Sequence, residues 1–409
     1  MNTLLGVVAL LLSGCLLVPL LMLCKGAIAP VAAGWGIRCC FAIMQGLGLV
    51  ALPESDSDAV TFQQSAVLWA NASWSELLAA FNPTQSYLYS WVGAALYKLF
   101  GVNPLVFHSL NVFLGSLAVL LTYALAREFV DRRTARKLCW IAALFPFAVL
   151  YSSVLLREMM IVASLMGGLL LTVRWVRTGA ASRLLGAAAA FAVAALFHGG
   201  MAIALVGLAI VCFRESSSSF WSMLVTRRVN PRLLVTGIVA SAALAGLVVH
   251  AVTGGMQLSS VGDTAERFSI GASDVVADQA EQRTSGGAAY PDIVASEGIT
   301  DSIWVMPARI AYFLFSPFPW DIKSPGHLLG LFSSVMFFLI AIALVRSRKV
   351  IAHDRGMQAV LLIAALLVLV YSLGTYNVGT AVRHRTKVFF ALIALCSVPS
   401  LKRKLVLHK

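Results

Sequence analysis

Residues 2–23 read NTLLGVVALLLSGCLLVPLLML, an apolar run long enough to cross a membrane as one helix. Similar runs return along the chain, and 59% of its 409 residues are hydrophobic while only 12% are charged. A globular protein in water does not need so much apolar surface, so the sequence predicts an all-α, polytopic integral membrane protein. We place about eleven membrane-spanning helices, near residues 2–23, 36–52, 105–126, 138–155, 158–175, 183–197, 199–213, 233–253, 325–345, 358–375 and 386–401.

The distribution of positive charge predicts how the chain is oriented. Most of the 31 Lys and Arg residues fall in six short segments between apolar runs, namely 25–38, 127–137, 174–183, 214–232, 346–355 and 402–409. Positive charge beside membrane helices marks the cytoplasmic side, so we predict a periplasmic amino terminus and a cytoplasmic carboxyl terminus. The same pattern accounts for most of the net charge of +13, which argues against a nucleic-acid partner.

Two longer polar segments, 53–104 and 254–324, then face the outside. Residues 84–101 are apolar enough to cross the membrane, but a crossing there would invert the charge pattern. Because this stretch is rich in Tyr and Trp, we predict an interfacial helix instead, and the same for Met306–Trp320. The sequence therefore predicts a single transmembrane domain over residues 1–409 whose chemistry faces outward.

The sequence PESDSD at residues 53–58 places carboxylates directly after the second predicted span. A carboxylate at the rim of an outer cavity suits a general base, and Asp56 and Asp58 are the candidates. The structural alternative is a solvated loop in which Asp58 caps a helix starting at Ala59. His198, at the bend between two short spans, is a third candidate for proton transfer, although a histidine at a helix turn can be purely structural.

Basic residues predicted on the outer side are exceptions to the positive-inside rule, and they indicate that an anionic ligand binds there. Arg157-Glu158 begins the fifth span, where buried charge is costly and usually functional, with a local ion pair as the structural alternative. Guanidinium binds phosphate oxygens in a bidentate fork, so we expect a phosphate site in which Glu158 orients Arg157. The predicted phosphate-binding residues are Arg157, Arg309, Arg383, His384, Arg385 and Lys387. For the cluster at residues 383–387, the structural alternative is that its basic side chains pair with the acidic loop 254–305.

In these residues the chain resembles bacterial membrane glycosyltransferases of the GT-C class and the related O-antigen polymerases (Wzy-like). The order of short elements carries the resemblance over most of the chain, more than any one motif. These elements are Glu54–Asp58, Tyr87–Gly101, the span containing Asn111, Ser153–Glu158, the aromatic and proline-rich stretch near Arg309, and Gly379–Arg385.

The resemblance implies a GT-C fold in the bacterial inner membrane and a glycosyltransferase that works on the periplasmic side. Its donor would be an undecaprenyl diphosphate-linked glycan, and its reaction the polymerisation of O-antigen or exopolysaccharide repeat units for lipopolysaccharide or a related polymer. Asp56 or Asp58 would deprotonate the acceptor hydroxyl, and the arginines would bind the diphosphate. Membrane lipid, the lipid-linked donor and acceptor, and a chain-length regulator are the implied partners. No cofactor is expected, with a divalent metal as the alternative, because Glu54–Asp58 fits an acidic metal-binding pattern only loosely.

Two alternatives remain open. The first is a GT-C transferase that moves a single sugar from a polyprenyl monophosphate to lipid A or another glycan. Three arginines predicted on the outer side, Arg157, Arg383 and Arg385, favour the diphosphate over this monophosphate donor. The second is a transporter of lipid-linked glycans, against which stands the concentration of polar residues at the outer rim rather than at mid-membrane.

Overall fold

The computed structural model describes residues 2–56, 58–81, 87–226, 299–322 and 325–396, together with short pieces between 231 and 294. Within this part the chain forms 15 named α-helices, and its β contact is an isolated antiparallel bridge between Ala289 and Asn377. In chain order the helices are α1 (Asn2–Leu23), α2 (Ile28–Gly46), α3 (Asp58–Asn71), α4 (Trp74–Ala79), α5 (Leu88–Phe100), α6 (Pro104–Arg127), α7 (Arg132–Leu144), α8 (Pro146–Ser153), α9 (Glu158–Thr178), α10 (Ala181–Phe197), α11 (Ile203–Thr226), α12 (Ile299–Phe315), α13 (Pro325–His353), α14 (Arg355–Leu373) and α15 (Val378–Ala394).

Seven helices in the described part are long and apolar enough to cross a membrane, and the pair α7–α8, bent by 54° at its break, raises the number to eight. The chain is therefore a multi-pass membrane protein, and the predicted all-α membrane fold is confirmed. The predicted count of about eleven spans is not confirmed. The helix α10 has only 17 residues, and most of the predicted span 233–253 lies outside the described residues.

The second membrane helix begins earlier than the sequence predicted. A short 3-10 turn and α2 together form an apolar stretch over Lys25–Gly46, where we expected a span at 36–52. Arg38, expected in a cytoplasmic segment, is therefore inside a membrane helix and completely buried. Its Nη1 donates to the carbonyls of Gly34 at 2.9 Å and Ala143 at 3.1 Å. Because Ala143 lies in the last turn of α7, the partial negative charge of that helix end stabilises the guanidinium.

The chain divides into two compact units, and each is described by itself. The first comprises Met1–Leu170 with Val193–His198. Its central helix is α6, which packs against α1, α2, α7 and α8. Small residues permit these close contacts, since a Cβ atom on Gly115 would lie only 2.4 Å from the Cβ of Ser152. Between α2 and α6 the chain forms α3, α4 and α5, and α3 packs along α5.

The helices α3 to α5 lie within the segment 53–104 that the sequence assigned to the outside. The helix α5 has 13 residues, which at about 1.5 Å per residue gives a length of roughly 20 Å. This is shorter than the hydrocarbon core of a membrane, as expected for an interfacial helix. The side of the membrane on which it lies stays a prediction.

The second unit comprises Leu171–Ala192 and Gly199–Lys409. In its described part, α14 packs against α11, α12 and α15, while α12 and α13 also contact α15. The helix α15 is capped at its start by Asn377, whose Oδ1 accepts from the backbone N–H of Thr380 at 2.8 Å. These four helices from α12 to α15 hold most of the predicted basic cluster.

Candidate active site

The acidic segment forms the connection from α2 into α3. Leu52 anchors it, because this buried residue donates its N–H to Oε1 of Gln45 at 2.8 Å. Glu54 has a φ of 65°, a left-handed conformation that is uncommon for residues other than glycine. Asp56 is exposed in the loop, and Asp58 is the exposed first residue of α3. The helix thus begins at Asp58 itself rather than at the following alanine.

The helix α3 brings the acidic segment to Arg157. Asp58 and Phe62 are four residues apart in this helix, so their side chains lie on neighbouring turns of the same face. The guanidinium carbon of Arg157 lies 5.9 Å from the centre of the buried Phe62 ring, a cation–π geometry. Two elements that the sequence singled out separately therefore meet within the first unit.

An aromatic cluster supports this meeting point. The ring of Phe62 contacts Tyr87 and Tyr89 edge-on, with ring centres 6.5 Å and 5.4 Å apart. Tyr89 packs in turn on Phe107, with ring centres 4.6 Å apart. The predicted interfacial helix α5 thus supports, through Tyr89, the Phe62 ring that the Arg157 guanidinium contacts.

A buried polar chain connects α5, α6 and the segment before Arg157. The Tyr89 hydroxyl donates to Oδ1 of Asn111 at 3.0 Å, and Nδ2 of Asn111 donates to the carbonyls of Val154 at 2.6 Å and Leu156 at 2.9 Å. Burial raises the pKa of Tyr89 well above its ordinary value, and the charge of Glu158 acts in the same direction. The phenol therefore stays protonated and remains a donor to Asn111.

Arg157 and Glu158 stand at the start of α9 but in different environments. Arg157 is half-buried, whereas Glu158 is the first residue of the helix and only 1% exposed. A carboxylate at a helix N-terminus is stabilised by the helix dipole. This burial suits the predicted orienting role of Glu158 better than direct proton transfer with an acceptor.

Among the basic residues of the second unit, Arg385 does not fit its predicted role. The helix α15 begins at Val378, so Arg385 lies inside the helix instead of at its mouth, and it is completely buried. Each of its three guanidinium nitrogens donates to the protein. The acceptors are the hydroxyls of Ser333 and Ser334 and the carbonyls of Phe313, Leu314, Ser316 and Gly330. Arg385 joins α12, α13 and α15, and its donors are not directed at a phosphate.

Arg309 also differs from expectation. Predicted on an interfacial aromatic face, it is only 1% exposed. Its Nε donates to the carbonyl of Val294 at 2.9 Å, and its Nη1 donates to the carbonyl of Leu373 at 3.1 Å. The guanidinium also lies 4.9 Å from the ring centre of Tyr376. These contacts connect α12 with the end of α14 and argue for a structural role.

Two of the remaining basic residues of α15, His384 and Lys387, contact Tyr371. The ring of His384 lies 4.6 Å from that of Tyr371, and its Nδ1 is 3.4 Å from Oγ1 of Thr375. The ammonium of Lys387, only 1% exposed, lies 5.2 Å from the Tyr371 ring centre. Arg383 is half-buried one turn earlier in the helix. Of this cluster, Arg383 and His384 have the exposure that contact with a ligand requires.

His198 follows the last residue of α10 and is half-buried. Its backbone N–H donates to the carbonyls of Ala194 and Ala195, so it completes the helix end before the short turn Gly199–Ala202. This position agrees with the predicted bend. Its predicted role in proton transfer stays a prediction.

The predicted site residues thus fall into two groups. Asp56, Asp58, Arg157, Glu158 and His198 belong to the first unit, and the other five belong to the second. The sequence analysis did not identify Phe62 as a site residue, nor the contacts of Tyr89 and Asn111. In the described part of the chain, His, Cys, Asp and Glu side chains form no group of three or more that could hold a metal ion.

The residues 84–251 match the family described as dolichyl-phosphate-mannose-protein mannosyltransferase. The match covers less than half of the 409 residues, but it includes Tyr89, Asn111 and the Arg157-Glu158 element. The sequence matches no curated protein.

The structure is similar to the archaeal oligosaccharyltransferase AglB from Archaeoglobus fulgidus, solved with an inhibitory peptide and a dolichol-phosphate. The TM-score is 0.50 at 14% identity, over 93% of this chain and 51% of that chain. The fold is of the GT-C type. The oligosaccharyltransferase of the same organism, tethered to an acceptor peptide, gives a TM-score of 0.49 at 15% identity, over 92% of this chain and 50% of that one. This GT-C chain therefore spans about half the length of the structures it matches.

Proposed function

We propose that the chain is a membrane glycosyltransferase that moves a sugar from a polyprenyl-phosphate donor to an acceptor hydroxyl. One observation carries this proposal. Within a GT-C-type fold, the helix that starts at Asp58 meets Arg157 through Phe62, at 5.9 Å. Such a transfer needs a general base and a cationic group for the leaving phosphate, and α3 carries the Asp58 carboxylate one turn away from the ring that the Arg157 guanidinium contacts.

The reaction forms a bond between the acceptor oxygen and the anomeric carbon of the donor sugar. It breaks the bond from that carbon to the phosphate oxygen, and the bonding electron pair leaves with the lipid phosphate. Asp58 takes the acceptor proton as general base, since it is exposed where the helix begins. Arg157 stabilises the charge that develops on the leaving phosphate.

A single sugar on a polyprenyl monophosphate is the donor that we favour. The matching family is named for a dolichyl-phosphate-linked mannose, which is a monophosphate donor. The sequence argument for a diphosphate rested on three arginines, and the donors of Arg385 are directed at protein groups. Polymerisation of undecaprenyl diphosphate-linked repeat units is the second candidate, supported by the order of motifs shared with O-antigen polymerases. The charge pattern supports a site that faces outward, and the resemblance to bacterial GT-C enzymes is the basis for proposing the periplasmic side of the inner membrane.

The test uses the full chain in lipid nanodiscs with a radiolabelled polyprenyl-phosphate sugar. We expect Asp58→Asn to reduce kcat by about 100-fold or more while donor binding persists, because a general base contributes on that scale. Asp56→Asn is the matched control, two residues earlier in the loop that precedes α3, and should retain activity. Arg157→Ala should weaken donor binding, with poor rescue by Arg157→Lys, because an ammonium cannot make the bidentate contact. Wild-type turnover in Asp58→Asn would reject this assignment.

A gel of surface polysaccharide from cells lacking the protein separates the two donor classes. Loss of the length ladder with survival of a single repeat unit would support the polymerase. A normal ladder with a change in mass or charge of another glycan would support transfer of a single sugar. An unchanged glycan profile would favour the transporter.

A further inference from the structure

Asn111 lies two turns into the apolar helix α6 and is completely buried. Its amide group bonds to two different elements, the hydroxyl of Tyr89 on one side and the segment between α8 and α9 on the other. A polar side chain is costly in a membrane helix unless its hydrogen bonds are satisfied, and such residues are usually functional. The position of these bonds indicates what Asn111 does.

We infer that Asn111 is a positioning residue that holds Arg157 and Glu158 in place. The segment before Arg157 is not helical, so its carbonyls need partners from elsewhere. The N–H of Leu156 donates to the carbonyl of Val154 at 2.9 Å, which closes a tight turn. The two N–H groups of Asn111 hold the carbonyls at both ends of this turn. The direction in which the chain enters α9, and with it the placement of Arg157, therefore depends on this amide.

Tyr89 fixes the orientation of the amide. Its hydroxyl donates to Oδ1 of Asn111, so the NH₂ end must face Val154 and Leu156. Tyr89 also packs on Phe62, the ring over which the Arg157 guanidinium lies. One side chain of α5 thus contacts both the residue that holds the turn and the ring beneath Arg157.

The structural part of the inference is tested by hydrogen–deuterium exchange of the full chain in nanodiscs. Asn111→Asp keeps the shape of the side chain but replaces both N–H donors with an oxygen facing two carbonyls. Tyr89→Phe is the milder variant, which keeps the ring and removes only the hydroxyl. The matched control is Thr122→Val in the same helix, because this buried hydroxyl donates only to the carbonyl of Ala118 within α6.

Both test variants should accelerate exchange in peptides covering residues 150–160, Asn111→Asp more than Tyr89→Phe, while the control leaves these peptides unchanged. Unchanged exchange there in Asn111→Asp would overturn the inference. A uniform increase over the whole first unit would also overturn it, because that result indicates a general loss of stability.

The consequence for catalysis rests on the proposed function and is measured separately. In Asn111→Asp, kcat/KM should fall by about 100-fold, because a displacement of about 1 Å at a reacting group can cost that much. Binding of polyprenyl phosphate alone should weaken in Asn111→Asp. In the Arg157→Ala background, Asn111→Asp should cause no further loss beyond about twofold, the spread expected for independent sites.

The two ideas fail in different ways. If the wild-type chain neither binds polyprenyl phosphate nor transfers a sugar, the proposed function fails, and the exchange data still decide whether Asn111 holds the turn. If the wild-type chain is active and the losses from Asn111→Asp and Arg157→Ala simply add, the positioning inference fails and the proposed function stands.

Discussion

Replacing Arg385 with methionine tests whether this residue supports the fold or binds a phosphate. Methionine has a similar length but no charge and no donors, so it removes the hydrogen bonds while it fills much of the space. If Arg385 bound phosphate, the variant would be stable and inactive. The structure predicts instead that the variant is less stable than the wild type, because Arg385 supports the fold.

The size of this loss follows from the groups left without donors. The carbonyls of Leu314 and Ser316 lie 3.0 Å and 2.5 Å from Nη1 of Arg385. Both stand at the end of α12, and the next residue is Pro317, which has no N–H to offer. Each buried carbonyl without a partner costs about 1–3 kcal/mol, so the two together cost about 2–6 kcal/mol. Loss of the contact with the Phe337 ring adds roughly 1 kcal/mol.

The assay is the temperature at which detergent-solubilised protein loses its monodisperse peak on size exclusion. The losses total about 3–7 kcal/mol, and at about 2–4 °C per kcal/mol the lower end of that range alone lowers the melting temperature by roughly 6–12 °C. Arg385→Lys should recover part of this loss, since an ammonium reaches fewer of the acceptors. The matched control is Arg383→Met, two residues away and half-buried, which should melt near the wild-type temperature. Wild-type stability of Arg385→Met, together with loss of donor binding, would refute the structural role.

Two further predictions concern stability. Arg309→Met removes the bond to the Val294 carbonyl, so proteases should cleave faster ahead of α12, and equal cleavage rates would contradict the structural role of Arg309. Glu215→Gln weakens the ion pairs of this buried carboxylate with Arg214 at 2.9 Å and Arg355 at 3.2 Å. Because both arginines are partly exposed, the expected loss is only about 1–2 kcal/mol, measured by the same melting assay, and a more stable variant would contradict the pairing.

The fold class could be predicted from the sequence because long apolar runs in a membrane have few alternatives to a helix. The bounds of α2 could not be predicted in this way. Residues 47–52 are as apolar as a span, and Arg38 looked like the charge of a loop. In the structure, α2 ends at Gly46, and the partner of Arg38 is the carbonyl of Ala143, 105 residues further along the chain. Sequence patterns over neighbouring residues cannot predict a contact between residues so far apart in the chain.

The candidate site was predictable in part. The acidic motif after the second predicted span pointed to Asp58, and positive charge on the predicted outer side pointed to Arg157; the ring of Phe62, one turn from Asp58, contacts the Arg157 guanidinium. Phe62 itself escaped notice, because an aromatic residue four positions after an aspartate is ordinary in sequence. Asn111 offered a clearer signal, since it is a polar residue in a predicted span, and such residues need a partner inside the protein.

The buried arginines have negatively polarised partners within the protein, and two of them, Arg309 and Arg385, belong to the predicted phosphate site. Arg38, Arg309 and Arg385 each donate to a carbonyl in the last turn of a helix, at Ala143 in α7, at Leu373 in α14 and at Leu314 in α12 respectively. A helix end of this kind carries about half a negative charge and has carbonyls without internal partners, so it can stabilise a cation with no phosphate present.

Arg157 differs from these three in a way that matters for function. Its backbone precedes the first residue of α9, so the nearest helix end is the N-terminal one, whose partial charge is positive. That end attracts anions, and a guanidinium placed beside it adds to the same field. The carboxylate of Glu158 lies at the same helix end and offsets part of this field, whereas the guanidinium groups of Arg38, Arg309 and Arg385 donate to helix carbonyls inside the protein. Arg157 is also half-buried, whereas the other three arginines are at most 1% exposed, so Arg157 is the arginine that we propose for the donor phosphate.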